Sequence, residues 1–368
     1  MRIAPPDAID SSHLRRVLVI KLRHHGDVLL TSPVFTVLKR AAPAAETDAL
    51  VYAETAPMLE GHPAISRLHT IDREWKRRGP IVQLRAETSL LRALASRRYD
   101  LVVHLTEHPR GAWLTRLLRP RYAVARELPR AHWLWRTSFT HYYRLPRATP
   151  RHTVECNLDA LRRLGLQPAL DERRLVLIAG AAERARAAAL MTQHGLEARR
   201  FVQLHPGSRW MFKCWTSEAY AALVDRLVRE GWKVAITGAP DKRERELVDA
   251  ILGTLSASAR SGVADLSGQL SLRELAALTR EARLFVGVDS APMHIAAAVG
   301  TPVVALFGPS GEIEWGPWQV PHRVVASNDH PCRPCGNDGC GGGKISECLT
   351  TLPVERVDAA VRAVLAET

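Results

Sequence analysis

The sequence predicts an α/β protein built from two parallel-sheet domains in tandem. Three observations predict it. At 368 residues the chain is longer than one ordinary core accommodates, so two domains of roughly 170 residues each are expected. In both halves, short continuous apolar runs of strand length alternate with segments of helical period, the pattern of strands joined by right-handed helical crossovers. That rhythm lapses at "GLQPALDERR", Gly165 to Arg174, and then restarts. Residues 1–170 are therefore assigned to a first Rossmann-like domain and 171–350 to a second, with 351–368 as a closing helix. Tandem sheets of this kind face one another across a cleft, and open sheets bind ligands at the carboxyl ends of their strands.

The elements follow in order. "RVLVIK" is a buried strand, and "SPVFTVLKRAA" a helix with Ser32 at its cap and Pro33 in its first turn. "TDALVYA", "ISRLHTI" and "YDLVVHL" read as strands, separated by helical "TAPMLEG" and "IVQLRAETSLLRALASRR". After the lapse, "RFVQLHPGS", "WKVAITGAP", "RLFVGVDS" and "TPVVALFG" are strands running into loops. Between them "SEAYAALVDRLVREG", "DKRERELVDAILG", "SLRELAALTREA" and "APMHIAAAVG" are helices, and "PVERVDAAVRAVLAE" closes the chain as an amphipathic helix. The apolar stretch Ser290 to Pro309 approaches membrane-spanning length, but His294, Gly300 and Pro302 divide it into a helix and a strand. The polar start "MRIAPPDAIDSSHLRR" is not a cleavable leader, so a cytoplasmic protein is expected.

Formal net charge is +13, which favours an anionic partner. Ten arginines and a single acid, Glu127, lie between Arg110 and Arg151. Arginine suits phosphate because its planar fork donates two parallel hydrogen bonds. Neither GxGxxG nor GxxxxGK[ST] is present, which removes the main sequence support for a dehydrogenase or a nucleoside triphosphatase.

Three strand-end loops of the second half carry polar groups instead. "HPGSRWMFKCW" offers Gly207, Ser208 and Lys213, and "TGAPDKRE" offers Gly238, Asp241 and Glu244. "GVDSAPMHIAAA" offers Asp289, Ser290, Ala291 and His294 at a helix start, where free amides and the positive dipole end favour an anion. Together they predict a nucleotide-diphosphate site. In the first strand-to-helix loop, "KLRHHGD", Asp27 is either a helix cap or a base for an incoming hydroxyl, with His24 and His25 as rival bases. Cys332, Cys335, Cys340 and Cys348 fall within the cysteine-rich segment 330–348 at a spacing compatible with a structural zinc or with reduced, packed thiols. Cys156 and Cys214 stand alone and are expected to be buried.

"VLVIKLRHHGDVLLTSPVFTVLK" and "LFVGVDSAPMHIAAAVGTPVVALFG" resemble the lipopolysaccharide heptosyltransferases, and "KLRHHGD" is most similar to their third type. The resemblance extends over nearly the whole chain. It implies a GT-B fold, with acceptor held by the first domain and sugar nucleotide by the second. It further implies ADP-L-glycero-D-manno-heptose as donor, a heptose of the lipopolysaccharide inner core as acceptor, and inversion without a catalytic metal or other required cofactor. Asp27 matches the proposed base, Lys213 the phosphate-binding lysine two residues before a tryptophan, and Asp289 the aspartate of the D-[ST]-x-x-x-H loop. The acid that reaches the donor ribose is either Asp241 or Glu244.

The arginine-rich segment is expected to meet an acidic lipid core at the cytoplasmic face of the inner membrane, with Arg116, Arg126 and Arg130 as acceptor-side candidates. Another nucleotide-sugar transferase of the same fold is the nearer alternative. A non-catalytic nucleic-acid-binding protein is the distant one, with "RAHWLWRTSFTHYYR" as its single candidate element.

Overall fold

A computed structural model describes residues 5–145 and 149–368. Arg147 of the arginine run lies outside them. The chain divides into two compact units, Met1–Leu177 and Ile178–Thr368.

The first unit carries strands β1 (Arg16–Ile20), β2 (Glu46–Tyr52), β3 (Arg67–Ile71), β4 (Leu101–His104), β5 (Tyr122–Arg126) and β6 (His141–Tyr143). Its helices are α1 (His25–Leu29), α2 (Ser32–Ala41), α3 (Pro80–Arg97), α4 (Pro109–Leu118), α5 (Trp133–Ser138) and α6 (Thr153–Arg163). The strand order is β3-β2-β1-β4-β5-β6, with every pairing parallel. Strand order reverses between β1 and β4, and that reversal opens the crevice in which such sheets bind ligands. β1 reads as an unbroken apolar run because helices cover both of its faces: Val17 to Ile20 are all buried. Asp48 of β2 is buried too, and is held by Arg97 Nε at 2.8 Å and by the Tyr99 hydroxyl at 2.7 Å.

The segment Gly165 to Arg174, where the rhythm lapses, is anchored to the first unit. Glu172 is buried, accepts the Ala169 amide at 2.7 Å and pairs with Arg40 at 2.5 Å. The Val176 amide donates to Ser32 Oγ at 2.9 Å, so the first unit extends to Leu177 rather than ending at residue 170.

The second unit repeats the plan with β7 (Phe201–His205), β8 (Lys233–Ile236), β9 (Val263–Asp265), β10 (Leu284–Val288), β11 (Val303–Phe307) and β12 (His322–Ala326). Its helices are α7 (Ala181–Gln193), α8 (Ser217–Arg229), α9 (Lys242–Thr254), α10 (Ala257–Arg260), α11 (Leu272–Glu281), α12 (Ala291–Val299), α13 (Glu312–Trp315), α14 (Glu347–Thr350) and α15 (Val354–Glu367). The order is β12-β11-β10-β7-β8-β9, again wholly parallel, and it reverses between β7 and β10. Val357, Val361 and Val364 of α15 pack into the core formed by β7, β8 and β10, so the closing helix belongs to this unit. α11 opens with a capping box, Ser271 and Glu274 exchanging side-chain and backbone hydrogen bonds. Ser290 to Pro309 forms α12 and β11, as the sequence predicts, and no helix among the described residues is long and apolar enough to cross a membrane.

Candidate functional site

In the second unit, the three polar loops follow β10, β7 and β8, which are adjacent in the sheet. Lys213 ends a short 3₁₀ turn after β7 (Met211–Lys213), and its Nζ lies 2.6 Å from Asp289 Oδ2, just beyond β10. This pair sits where the strand order reverses. Asp289 is buried and Lys213 mostly so, which places a fixed ammonium at the mouth of the crevice.

Ser290 has the extended backbone of an N-cap, but its hydroxyl donates to the Val288 carbonyl at 3.3 Å, so no side chain caps α12. The small residues Ser290 and Ala291 leave that helix start open to an approaching anion. His294 is buried one turn in, 6.5 Å from the Trp315 ring between centroids.

Gly207 is required by space: a Cβ there would lie 2.5 Å from Glu244 Oε2. Glu244 is buried beside it, accepts the Ala239 amide at 2.7 Å and lies 3.5 Å from His205 Nε2. Burial pushes its carboxyl up, but the His205 imidazole and the Ala239 amide outweigh that and hold it below the usual range. Gly238 also adjoins Glu244, whereas Asp241 is exposed and accepts the Arg243 amide at 2.9 Å as the cap of α9. Ser208 Oγ accepts the Trp210 amide at 3.3 Å. Sequence reasoning missed His205, whose Nδ1 lies 3.0 Å from Thr237 Oγ1 and which links β7, β8 and Glu244. Its position as the last residue of a buried strand was the available signal.

In the first unit, Asp27 lies not in a loop but in α1, after the Lys21-to-His24 connection from β1. It is half-buried and makes no hydrogen bond or ion pair among the described residues, so it is not the helix cap that the sequence left open. His25 Nε2 donates to the Glu54 carbonyl at 2.8 Å, which ties one rival base to the backbone. His24 takes the cap position, without a side-chain cap bond.

Beneath this turn lies Lys21, which the sequence reading passed over. Its Nζ donates to the Leu105 carbonyl at 3.1 Å and to Asn157 Oδ1 at 3.2 Å, and Asn157 Nδ2 donates to the Leu30 carbonyl at 3.0 Å. These bonds tie the ends of β1 and β4 to the chain just after α1. Burial pushes the Lys21 ammonium down to about 8, with the charge of Asp27 acting in the opposite direction.

The arginine run does not converge on one point. Arg116, on α4, donates to Thr137 Oγ1 at 3.1 Å, Arg126 ends β5 and pairs with Glu107, and Arg130 is exposed in the following loop. Arg136, Arg144 and Arg151 of the run line a hollow of about 930 Å³ together with Arg163, Trp135 and Tyr142. The segment proposed for nucleic-acid binding is α5 followed by edge strand β6, not a helix-turn-helix.

The four clustered cysteines do not form the ligand set that their spacing allows. Cys332, Cys335 and Cys340 are exposed while Cys348 is buried, and no group of three or more His, Cys, Asp or Glu among the described residues is arranged for a metal ion. Packing explains the split: Cys348, in the first turn of α14, lies against Gly308, where an added Cβ would meet its Sγ at 3.5 Å. Burial also pushes its thiol up. Cys214 is buried as expected, with its thiol pushed up to about 12, and Cys156 is half-buried.

Residues 87–345 match the family described as "Glycosyltransferase family 9 (heptosyltransferase)". The chain is 35% identical over 298 residues to a "Lipopolysaccharide heptosyltransferase 3" of Escherichia coli, covering 81% of this chain and 84% of that protein. It is 33% identical to the protein of the same description in Escherichia coli strain K12, covering 94% and 97%. The crystal structure of a family 9 glycosyl transferase from Veillonella parvula superposes with a TM-score of 0.83 at 25% identity, covering 98% of this chain and 100% of that one. The fold shared with solved heptosyltransferases is GT-B.

Proposed function

Since the chain belongs to glycosyltransferase family 9, the heptosyltransferases, we propose that it moves a heptose from ADP-L-glycero-D-manno-heptose onto a heptose of the lipopolysaccharide inner core, by one displacement with inversion and without a catalytic metal. It is a glycosyltransferase of lipopolysaccharide core synthesis. A solved relative is described as the Escherichia coli heptosyltransferase WaaC with ADP, and another solved form of it as carrying ADP-2-deoxy-2-fluoro heptose.

The observation that carries the mechanism is Asp27. A half-exposed carboxylate with no hydrogen bond or ion pair among the described residues, shortly after β1 at the strand-order reversal, is placed to accept a proton. In this reading it takes the proton of the acceptor hydroxyl. The hydroxyl oxygen then bonds to the anomeric carbon as the bond from that carbon to the diphosphate oxygen breaks. Lys213, steadied by Asp289, and the first-turn amides of α12 meet the negative charge of departing ADP. Glu244, beside Gly207 and Gly238, takes the ribose in preference to Asp241, whose carboxylate is committed to capping α9.

The arginines of the first unit supply the complementary charge for a phosphorylated acceptor, and the enzyme works at the cytoplasmic face of the inner membrane. The test is incubation of the purified protein with ADP-heptose, other nucleotide sugars and a truncated lipopolysaccharide, reading product mass. Addition of one heptose from ADP-heptose, undiminished by a chelator, is expected. Transfer from a different nucleotide sugar alone would replace this reading.

A further inference from the structure

The first unit exposes an apolar stripe that its own core does not use. Ile81 and Leu84 of α3 are 67% and 69% exposed, Trp113 and Leu117 of α4 are 51% and 56% exposed, and Trp133 of α5 is 54% exposed. Ile81 and Leu84 stand three residues apart on α3, and Trp113 and Leu117 four apart on α4, so each pair shares one helix face. The faces are joined: Leu84, Trp113 and Leu117 line a common hollow, and the Arg116 guanidinium stands 5.6 Å from the centre of the Trp133 ring. A connected set of large apolar side chains in water marks an interaction surface rather than scattered exposure.

Its border has one sign. Arg85 and Arg92 follow Leu84 and Leu91 on α3, and Arg116 and Arg119 flank Leu117 on α4. None of the four makes an ion pair among the described residues, and Glu87, the acid within the hollow, is paired with Arg110. Tryptophan favours the boundary between hydrocarbon and water, and arginine is drawn to anionic headgroups. A second copy is a poor occupant, because a self-complementary contact would set arginine against arginine.

We propose that this face, Ile81 and Leu84 with Trp113, Leu117 and Trp133 inside a rim of arginines, inserts into an anionic lipid surface. The proposal rests on the reading above that the acceptor is a membrane lipid, and it assigns the insertion to residues other than the acceptor-binding candidates, with Arg116 at the rim. The helices lie along the surface, their apolar side entering the headgroup boundary while arginines hold the phosphates.

The test is vesicle sedimentation with phosphatidylethanolamine and phosphatidylglycerol, against vesicles of phosphatidylcholine alone. The full chain is expected to bind the anionic vesicles and to be released by salt. Leu84→Ser/Trp113→Ser is expected to bind at least tenfold more weakly, with unchanged melting temperature and unchanged transfer to a deacylated, water-soluble acceptor. Arg85→Glu/Arg92→Glu is expected to lose the preference for anionic vesicles. Wild-type protein that transfers heptose to the soluble acceptor but ignores anionic vesicles overturns the proposal, as does undiminished vesicle binding by Leu84→Ser/Trp113→Ser. Self-association abolished by that variant would assign the face to a second copy instead. Vesicle binding without any sugar transfer would overturn the functional reading and leave this surface standing.

Discussion

Removing the Lys213 ammonium tests the donor half of the mechanism. Its Nζ is 2.6 Å from Asp289 Oδ2, with Asp289 only 8% exposed, so Lys213→Met both deletes a cation and strands a carboxylate at the mouth of the crevice. A hydrogen bond to a charged group contributes about 1.5–3 kcal/mol, which corresponds to roughly 10- to 150-fold in dissociation constant. The stranded carboxylate adds repulsion: about 5 Å from a phosphate oxygen, at an effective dielectric of 20, it costs about 3 kcal/mol per unit charge. Lys213→Met should therefore weaken ADP binding by at least tenfold. Lys213→Met/Asp289→Asn should recover part of that loss, because the uncompensated charge is gone. Titration calorimetry with ADP on all three proteins reads this directly, with thermal unfolding confirming that each is folded. Unchanged ADP affinity in folded Lys213→Met, or a double variant worse than the single one, would refute the reasoning.

Two further predictions concern the first unit. Asp48→Ala removes the buried carboxylate that holds Arg97 and the Tyr99 hydroxyl and leaves Arg97 to its second partner, Glu46; breaking a buried pair costs up to about 3–5 kcal/mol, so urea unfolding should show a loss within that ceiling, and a loss below about 1 kcal/mol would mean that the Asp48 contacts are not needed for stability. Burial pushes the imidazoles of His62 and His104 down to about 4 and about 3. The unfolded chain then binds protons that the folded one does not, so stability is full above pH ~6.5 and falls with pH by about 1.4 kcal/mol per unit for each histidine. Between pH 6 and pH 5, His104→Gln should lower the measured slope by about 1.4 kcal/mol per unit; an unaltered slope would contradict the assignment.

The central strands were legible because parallel strands covered on both faces read as continuous apolar runs: β1, β7, β10 and β11 are buried over nearly their whole lengths. Strands β5, β6, β9 and β12 were not read: "YAVAR", "HYY", "VAD" and "HRVVA" are short and carry little apolar signal, and the last three are partly covered edge strands. The polar loops after β7, β8 and β10 stood out at the ends of readable strands. The pairing of Lys213 with Asp289 across 76 residues did not, because it depends on strand order, which periodicity leaves open. Lys21 was visible as a lysine closing an apolar run, but its burial comes from Leu105 and Asn157, which only the folded chain brings to it. The cysteines mark the opposite failure, where spacing alone suggested a site and packing separated buried Cys348 from three exposed thiols.

Asp27→Asn is the most direct test of the mechanism, measured as single-turnover transfer from ADP-heptose to the truncated acceptor beside ADP affinity by calorimetry. The substituted amide keeps the shape of a side chain that makes no hydrogen bond or ion pair among the described residues, so folding and ADP binding should match wild type. Transfer should fall by roughly 10²–10⁴-fold, the contribution of a general base. Wild-type transfer by Asp27→Asn would contradict the account.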